Sequence, residues 1–221
     1  EASVAAAAAW VQRQPGGLDV LINNAGIVGG HVAPPDVTAE MMRTVYETND
    51  FGIVRVTHAM LPLLRASSNP VIVNVSSGLG SFGVVNDPDR LESTVHVLAY
   101  CSSKSAVTML TVQYAKVLPN MRINAVDPGY TATDLNQHSG PQTVEQGTDG
   151  AVADQGQVKR GIHGLPSAMA DNQATTAPTS GRRYRAAVLP APTFTDMPWL
   201  ALTMAKPCSS VLSSPMKTGR R

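Results

Sequence analysis

Cysteine is scarce in this chain. Its 221 residues hold two, Cys101 and Cys208, a number and spacing that make neither a disulfide framework nor a zinc cluster. Both are expected to be reduced thiols, as in a cytoplasmic protein, and no metal site is expected. Long apolar runs are lacking too. No segment approaches 18 consecutive apolar residues, so no spanning helix is expected. The alanine run Ala5–Ala9, between Glu1 and Arg13, lacks the basic start and long apolar centre of a signal peptide. Nor is one sign of charge in excess. A formal net charge of +1 gives neither nucleic acid nor an anionic membrane an electrostatic hold, and neither is expected as a partner. An initiating methionine is absent as well, which suggests a missing upstream segment. With 43% hydrophobic and 15% charged residues, the composition is that of a globular domain with a real core.

The near-zero net charge hides two unlike parts. Residues 1–150 carry a net charge of −5 and residues 151–221 one of +6. The second part contains no Glu, seven Pro and thirteen Ser and Thr. It shows no sustained apolar period of 3.6 or 2.0. Its prolines interrupt every candidate helix or strand, which predicts a poorly ordered basic tail. A nucleic-acid arm is a second reading, but the basic residues are scattered and aromatics are few. A third is that a reading-frame shift replaced the original sequence.

The first part alternates. Ser3 to Gln14 reads as a helix, with Ser3 as N-cap candidate and Pro15-Gly16-Gly17 as its stop. Val20-Leu21-Ile22 is a short apolar run. Thr38 can cap a long helical stretch that ends near Pro62. Val71 to Val75 is a β-branched, uncharged run, as in a strand buried on both faces. Leu98 to Leu118 is helical, and Arg122 to Val126 is a strand. Strands alternating with helices predict an α/β fold, a doubly wound parallel sheet of Rossmann-like type with helices on both faces. Ligands in such sheets bind beyond the C-terminal ends of the strands.

Three motifs fall at or near those ends. Asn23-Asn24-Ala25-Gly26 follows the first strand, where small residues let backbone approach a flat ligand; taken alone it is an ordinary strand-ending turn. Ser76-Ser77-Gly78 follows the second, where a hydroxyl could hold a reacting oxygen; taken alone it is a loop. Tyr100 and Lys104 sit at i and i+4 on one helix face. A nearby ammonium favours phenolate and is expected to lower the tyrosine pKa, which suits proton transfer. Taken alone, the two are a surface pair.

The order of these motifs, with Asn49 on the intervening helix and Asp127-Pro128-Gly129-Tyr130-Thr131-Ala132-Thr133 after the last strand, resembles the short-chain dehydrogenase/reductase family over about Ser3 to Asp149. That resemblance implies a catalytic tetrad of Asn49, Ser77, Tyr100 and Lys104. Tyr100 would exchange the proton with the substrate oxygen and Ser77 would orient that oxygen. Lys104 would bind the nicotinamide ribose, and Asn49 would hold a helix irregularity and a proton-passing water. Asn24, Ala25 and Gly26 would pack along the cofactor's adenosine-side ribose. Pro128, Gly129, Thr131 and Thr133 would line the nicotinamide. The implied cofactor is NAD(P)(H), with NADPH favoured, and the implied partner is a small carbonyl or alcohol substrate; monomer or homo-oligomer stays open. The 23 positions from Ser77 to Tyr100 are about ten more than usual in the family and, with Asp127 to Leu135, resemble its carbonyl-reductase branch.

Two departures set the alternatives. The family begins with a glycine-rich turn that seats the pyrophosphate, and none stands here, so two strands and two helices are expected to be missing. After Asp149 the tail does not look like the family's closing helix, strand and substrate loop. Residues 1–150 are thus read as a partial dinucleotide-binding and catalytic domain. The alternatives to an active enzyme are an inactive fragment and a dinucleotide-sensing or interaction module of the same fold.

Overall fold

The computed structural model describes residues 2–148; the basic tail of the sequence analysis lies outside them. Helix α1 (Ala2–Gln12) is built largely of alanine, the residue that loses least on entering a helix. Ser3, expected as its N-cap, lies inside the first turn instead. Strand β1 (Val20–Asn23) follows, then helix α2 (Ala39–Tyr46), a π turn (Glu47–Phe51) and helix α3 (Gly52–Arg65). Strand β2 (Val71–Val75), the short helix α4 (Phe82–Val85), helix α5 (Leu98–Val117) and strand β3 (Arg122–Val126) complete the order.

The three strands form a parallel sheet in the order β1-β2-β3, with Val20 opposite Val71 and Val71 opposite Arg122. Both crossovers advance the chain in the same direction across the sheet. Crossovers of the usual right hand then put both helical connections on one face. The core agrees: Leu21, Ile72 and Ile123 pack against Val11 of α1, Val56, Met60 and Leu64 of α3, and Tyr114 of α5. The opposite face carries Val20, Ile22, Val71, Val73 and Val126. Helices on both faces were expected; among the described residues, α1, α3 and α5 all lie on the first.

Thr38 caps α2 as its sequence suggests, accepting a hydrogen bond from the Met41 N–H at 3.3 Å. The helix it starts is neither uniform nor finished at Pro62. Gly52 N–H reaches back five residues to the Glu47 carbonyl, so one turn is widened by a residue. Pro62 then sits inside α3 and the helix runs on to Arg65.

A line of polar groups crosses the helix-covered side of the sheet. The Asn23 amide donates to Thr57 Oγ1 at 3.3 Å and to Asn74 Oδ1 at 2.8 Å. Asn74 donates in turn to Thr111 Oγ1 at 2.8 Å, and Thr111 donates to the Val107 carbonyl at 2.8 Å. All four side chains are buried, so the bonds offset a desolvation cost that unpaired amides would keep. The line joins α3 through β1 and β2 to α5.

Candidate active site

The C-terminal ends of β1, β2 and β3 deliver Asn24–Gly26, Ser76–Gly78 and Asp127–Gly129 to one edge of the sheet, beside the first turns of α5. Widening one turn between α2 and α3 lets two consecutive residues, Asn49 and Asp50, both be buried. Asn49 uses its whole amide. Its Oδ1 accepts from Ile27 N–H at 2.8 Å, and its Nδ2 donates to the Ile27 carbonyl at 3.0 Å and to Ser103 Oγ at 2.9 Å. The side chain thus pairs with Ile27 as a peptide group would. It fixes the segment after β1 to the residue next to Lys104.

Lys104 is 4% exposed. Its Nζ donates to the Val75 carbonyl at 2.7 Å and lies 5.5 Å from the centre of the Tyr100 ring. Burial pulls its ammonium down to about 8, against Asp50 and then Asp127, which hold it up. Tyr100 moves the other way. Burial pushes its phenol up to about 12, outweighing a side-chain hydrogen bond from Ser77, with Asp127 and Cys101 adding to the rise. The i, i+4 spacing from Lys104 predicts the opposite direction. That expectation fails because burial dominates at Tyr100 while the Lys104 nitrogen is directed to Val75.

The two serines after β2 do different things. Ser76 is buried and its hydroxyl is tied to α5, to the Lys104 carbonyl at 3.1 Å and to Thr108 Oγ1 at 3.0 Å. Ser77 caps the turn Gly78–Gly80, accepting from Leu79 N–H at 3.2 Å, and interacts with Tyr100. That turn is pressed directly on α5. Ser105 Oγ donates to the Gly80 carbonyl at 2.7 Å. A Cβ added to Gly80 would stand 2.5 Å from the Lys104 carbonyl carbon. Asp127 clasps the site from the third strand: Oδ2 accepts from Gly78 N–H at 2.8 Å and Oδ1 from Gly129 N–H at 3.0 Å. Gly80, Ser103, Ser105 and Asp127 escaped the sequence reading as site residues. Asp127 stands within the motif after β3, but nothing in the sequence says that its carboxylate bridges two loops.

Of the residues expected along the cofactor, Gly26 is brought to the centre: its Cβ position lies 3.4 Å from Lys104 Nζ and 3.6 Å from Asn49 Oδ1. Ala25 is half-buried and Asn24 exposed. Pro128 and Gly129 stand at the end of β3, Gly129 with φ +74°. Thr131 and Thr133 make their hydrogen bonds within their own loop. Thr131 Oγ1 donates to the Pro128 carbonyl at 3.2 Å, and Thr133 N–H donates to Asn136 Oδ1 at 3.1 Å. The expected polar loop between Ser77 and Tyr100 is structured, with α4 and a 3-10 turn (Leu91–Thr94). It folds back on the site, since Glu92 Oε1 lies 3.3 Å from the Gly78 Cβ position. Among the described residues, no three His, Cys, Asp or Glu side chains are grouped to hold a metal, and no helix is long and apolar enough to cross a membrane.

Comparison with known proteins agrees with the fold. The family model described as short chain dehydrogenase matches residues 1–143. A short-chain dehydrogenase of Penicillium roqueforti is 40% identical over 152 residues, 66% of this chain and 60% of that protein. The (-)-isopiperitenone reductase of Mentha piperita is 32% identical over 214 residues, 66% of this chain and 68% of that protein. The solved structure of NADPH-bound carbonyl reductase from chicken fatty liver superposes with a TM-score of 0.56 at 31% identity, over 66% of this chain and 59% of that one. The chain therefore spans about three-fifths to two-thirds of the length of these relatives.

Proposed function

Because the chain belongs to the short-chain dehydrogenase family, we propose that it reduces a carbonyl compound with a nicotinamide cofactor, with Tyr100 as the proton donor. The observation that carries this reading is the cluster itself: a buried Lys104 beside the Tyr100 ring, Ser77 against the phenol, and Asn49 locking both Ile27 and Ser103.

The residues fit a nicotinamide nucleotide. The bare α-carbon of Gly26 leaves the approach to Lys104 Nζ and Asn49 Oδ1 open. An ammonium has three donors, and Val75 takes one from Lys104, so others can reach ribose hydroxyls. When bound, the cofactor supplies the hydride. Ser77 would hold the substrate oxygen by a hydrogen bond. Tyr100 would give that oxygen its proton as negative charge develops there. A phenol at about 12 keeps its proton at neutral pH, and roughly one molecule in 100,000 is phenolate at pH 7. That favours reduction over alcohol oxidation, which needs the phenolate as base. Asn24, Ala25, Pro128, Gly129, Thr131 and Thr133 are proposed to line the cofactor. NADPH is the favoured cofactor, supported by the NADPH-bound chicken carbonyl reductase, and a cytoplasmic setting goes with this reading. Likeness to the (-)-isopiperitenone reductase of Mentha piperita makes apolar cyclic ketones the first substrates to try.

The test is a fluorescence titration of the whole chain with NADPH and NADH, followed by turnover of Tyr100→Phe. Saturable binding that survives in Tyr100→Phe, with turnover reduced by about 10²- to 10⁴-fold, is expected of a lost general acid. A folded chain that binds neither nucleotide sinks the enzyme reading and leaves the inactive-fragment alternative. Binding without turnover of any carbonyl leaves the sensing or interaction module.

A further inference from the structure

One buried charged group has no part in the mechanism above. Asp50 is 3% exposed, and both of its carboxylate oxygens are buried without a hydrogen-bond partner among the described residues. A carboxylate so placed is among the costliest groups to bury and is kept at a loss of stability. It sits on the π turn next to Asn49, and that turn packs against α5, the helix that carries Lys104. Asn49, the residue before Asp50, donates to Ser103, the residue before Lys104, at 2.9 Å, so two buried groups of opposite sign stand one residue beyond that bond on contacting elements.

We propose that Asp50 is a positioning residue: its buried carboxylate keeps the Lys104 ammonium charged, and so sets the upper pH at which Lys104 can hold a ribose and serve Tyr100. The proposal rests on the role assigned to Lys104 under the proposed function.

Charged side chains on the neighbouring elements have partners of their own among the described residues. Glu47, on the same turn, is paired with Arg55 of α3 at the surface, and Arg43 of α2 is paired with the exposed Glu40. On α5 the buried charge is Lys104. At Lys104 itself, Asp50 is the larger of two anionic supports, ahead of Asp127 at the end of β3. Burial pushes Asp50 up to about 7 and Lys104 draws it back down. Both groups are therefore charged together around pH 7 to 8. Below that range Asp50 is neutral, and above it Lys104 is. Such a pair makes one protonation window out of two groups that would each resist ionising alone.

The experiment is side-chain NMR of the full 221-residue chain with labelled lysine, the Lys104 signal assigned by its loss in Lys104→Met. Asp50→Asn keeps the shape and removes the charge; Asp50→Ser is the second variant should the first misfold. The Lys104 midpoint is expected to fall by about one pH unit in either variant, the low end of the effect of a nearby opposite charge. Glu47→Gln, which removes an exposed charge from the same turn, should leave the midpoint in place. A Lys104 midpoint unmoved in both Asp50 variants overturns the proposal. In turnover, the alkaline limb of kcat/KM should move down by the same amount as the NMR midpoint. A limb that stays put while the midpoint falls also overturns it. A chain that shows the NMR shift but no turnover supports the electrostatic pairing and counts against the dehydrogenase reading alone.

Discussion

Replacing Gly80 with alanine tests how the site is held together. Its Cβ would lie 2.5 Å from the Lys104 carbonyl carbon, 2.7 Å from Ser105 N and 2.8 Å from Lys104 Cβ. Ordinary contact begins near 3.4 Å, so a gap of about 1 Å must open. Two of the three atoms are helix backbone within α5 and cannot turn aside, so the Gly78–Gly80 turn must move. The same movement stretches the bond from Ser105 to the Gly80 carbonyl and pulls on the clasp between Asp127 and Gly78 N–H. Overpacking of this kind costs about 1–3 kcal/mol. Ser77, which caps that turn, moves with it relative to Tyr100. A misplacement of about 1 Å at a reacting group can cost about 100-fold in rate. Urea unfolding should therefore show a lower midpoint, and kcat should fall by about two orders of magnitude while NADPH affinity changes little. A Gly80→Ala chain with wild-type stability and kcat would refute the claim that this turn is seated on α5 by direct backbone contact.

Further outcomes follow from other contacts. Thr111→Val removes the acceptor for the Asn74 amide at 2.8 Å; a buried donor left unpaired costs about 1–3 kcal/mol in urea unfolding, and an unchanged stability would mean that the polar line is not needed. Asp50 holds its proton more tightly folded than unfolded, its carboxyl rising from 3.8 to about 7. The folded state thus binds the extra proton in that window, and the stability from this group is lost as pH rises through it. The wild-type urea midpoint should fall relative to that of Asp50→Asn between about pH 4 and pH 7, and parallel curves would contradict the assignment. With the Tyr100 phenol at about 12, alcohol oxidation should rise about tenfold per pH unit from pH 6 to 8 while carbonyl reduction stays nearly flat; equal slopes would rule out phenolate as the base.

How far the sequence reveals this molecule depends on what each residue's signal reports. Strands β2 and β3 were read to the residue, because uncharged β-branched runs between turn signals have few other uses. The stretch from Thr38 to Pro62 reads as one helix, since apolar spacing persists across it. A single widened turn shifts that spacing by one residue, less than the pattern can resolve. Pro62 misleads for a related reason: a helix already held by Met60 and Leu64 in the core carries it inside. Tyr100, Lys104, Ser77 and Asn49 can be named as candidates from order along the chain. Their electrostatics cannot, because burial decides the direction at Tyr100 and burial is a property of the packed molecule. Asp50 reads as an ordinary polar residue on a helix, and only the fold turns it inward. Asp127 and Gly80 act through hydrogen bonds between segments 49 and 25 residues apart, a kind of information that one sequence does not carry locally.

The amide line beneath the site bears on how the chain finds its alignment. Val20-Leu21-Ile22 against Val71-Ile72-Val73 is nearly blind to sliding: a shift of two residues keeps every side chain on its own face and exchanges one aliphatic neighbour for another. The amides are not blind to it. Asn23 meets Asn74 in one alignment only, and in that alignment Thr57 and Thr111 stand ready at either end. Any other pairing would bury amides opposite hydrocarbon, at about 1–3 kcal/mol for each group left unmatched. The line thus works as a key cut into an otherwise smooth bar. It rejects slipped pairings while the sheet assembles, before any ligand could reward the correct one.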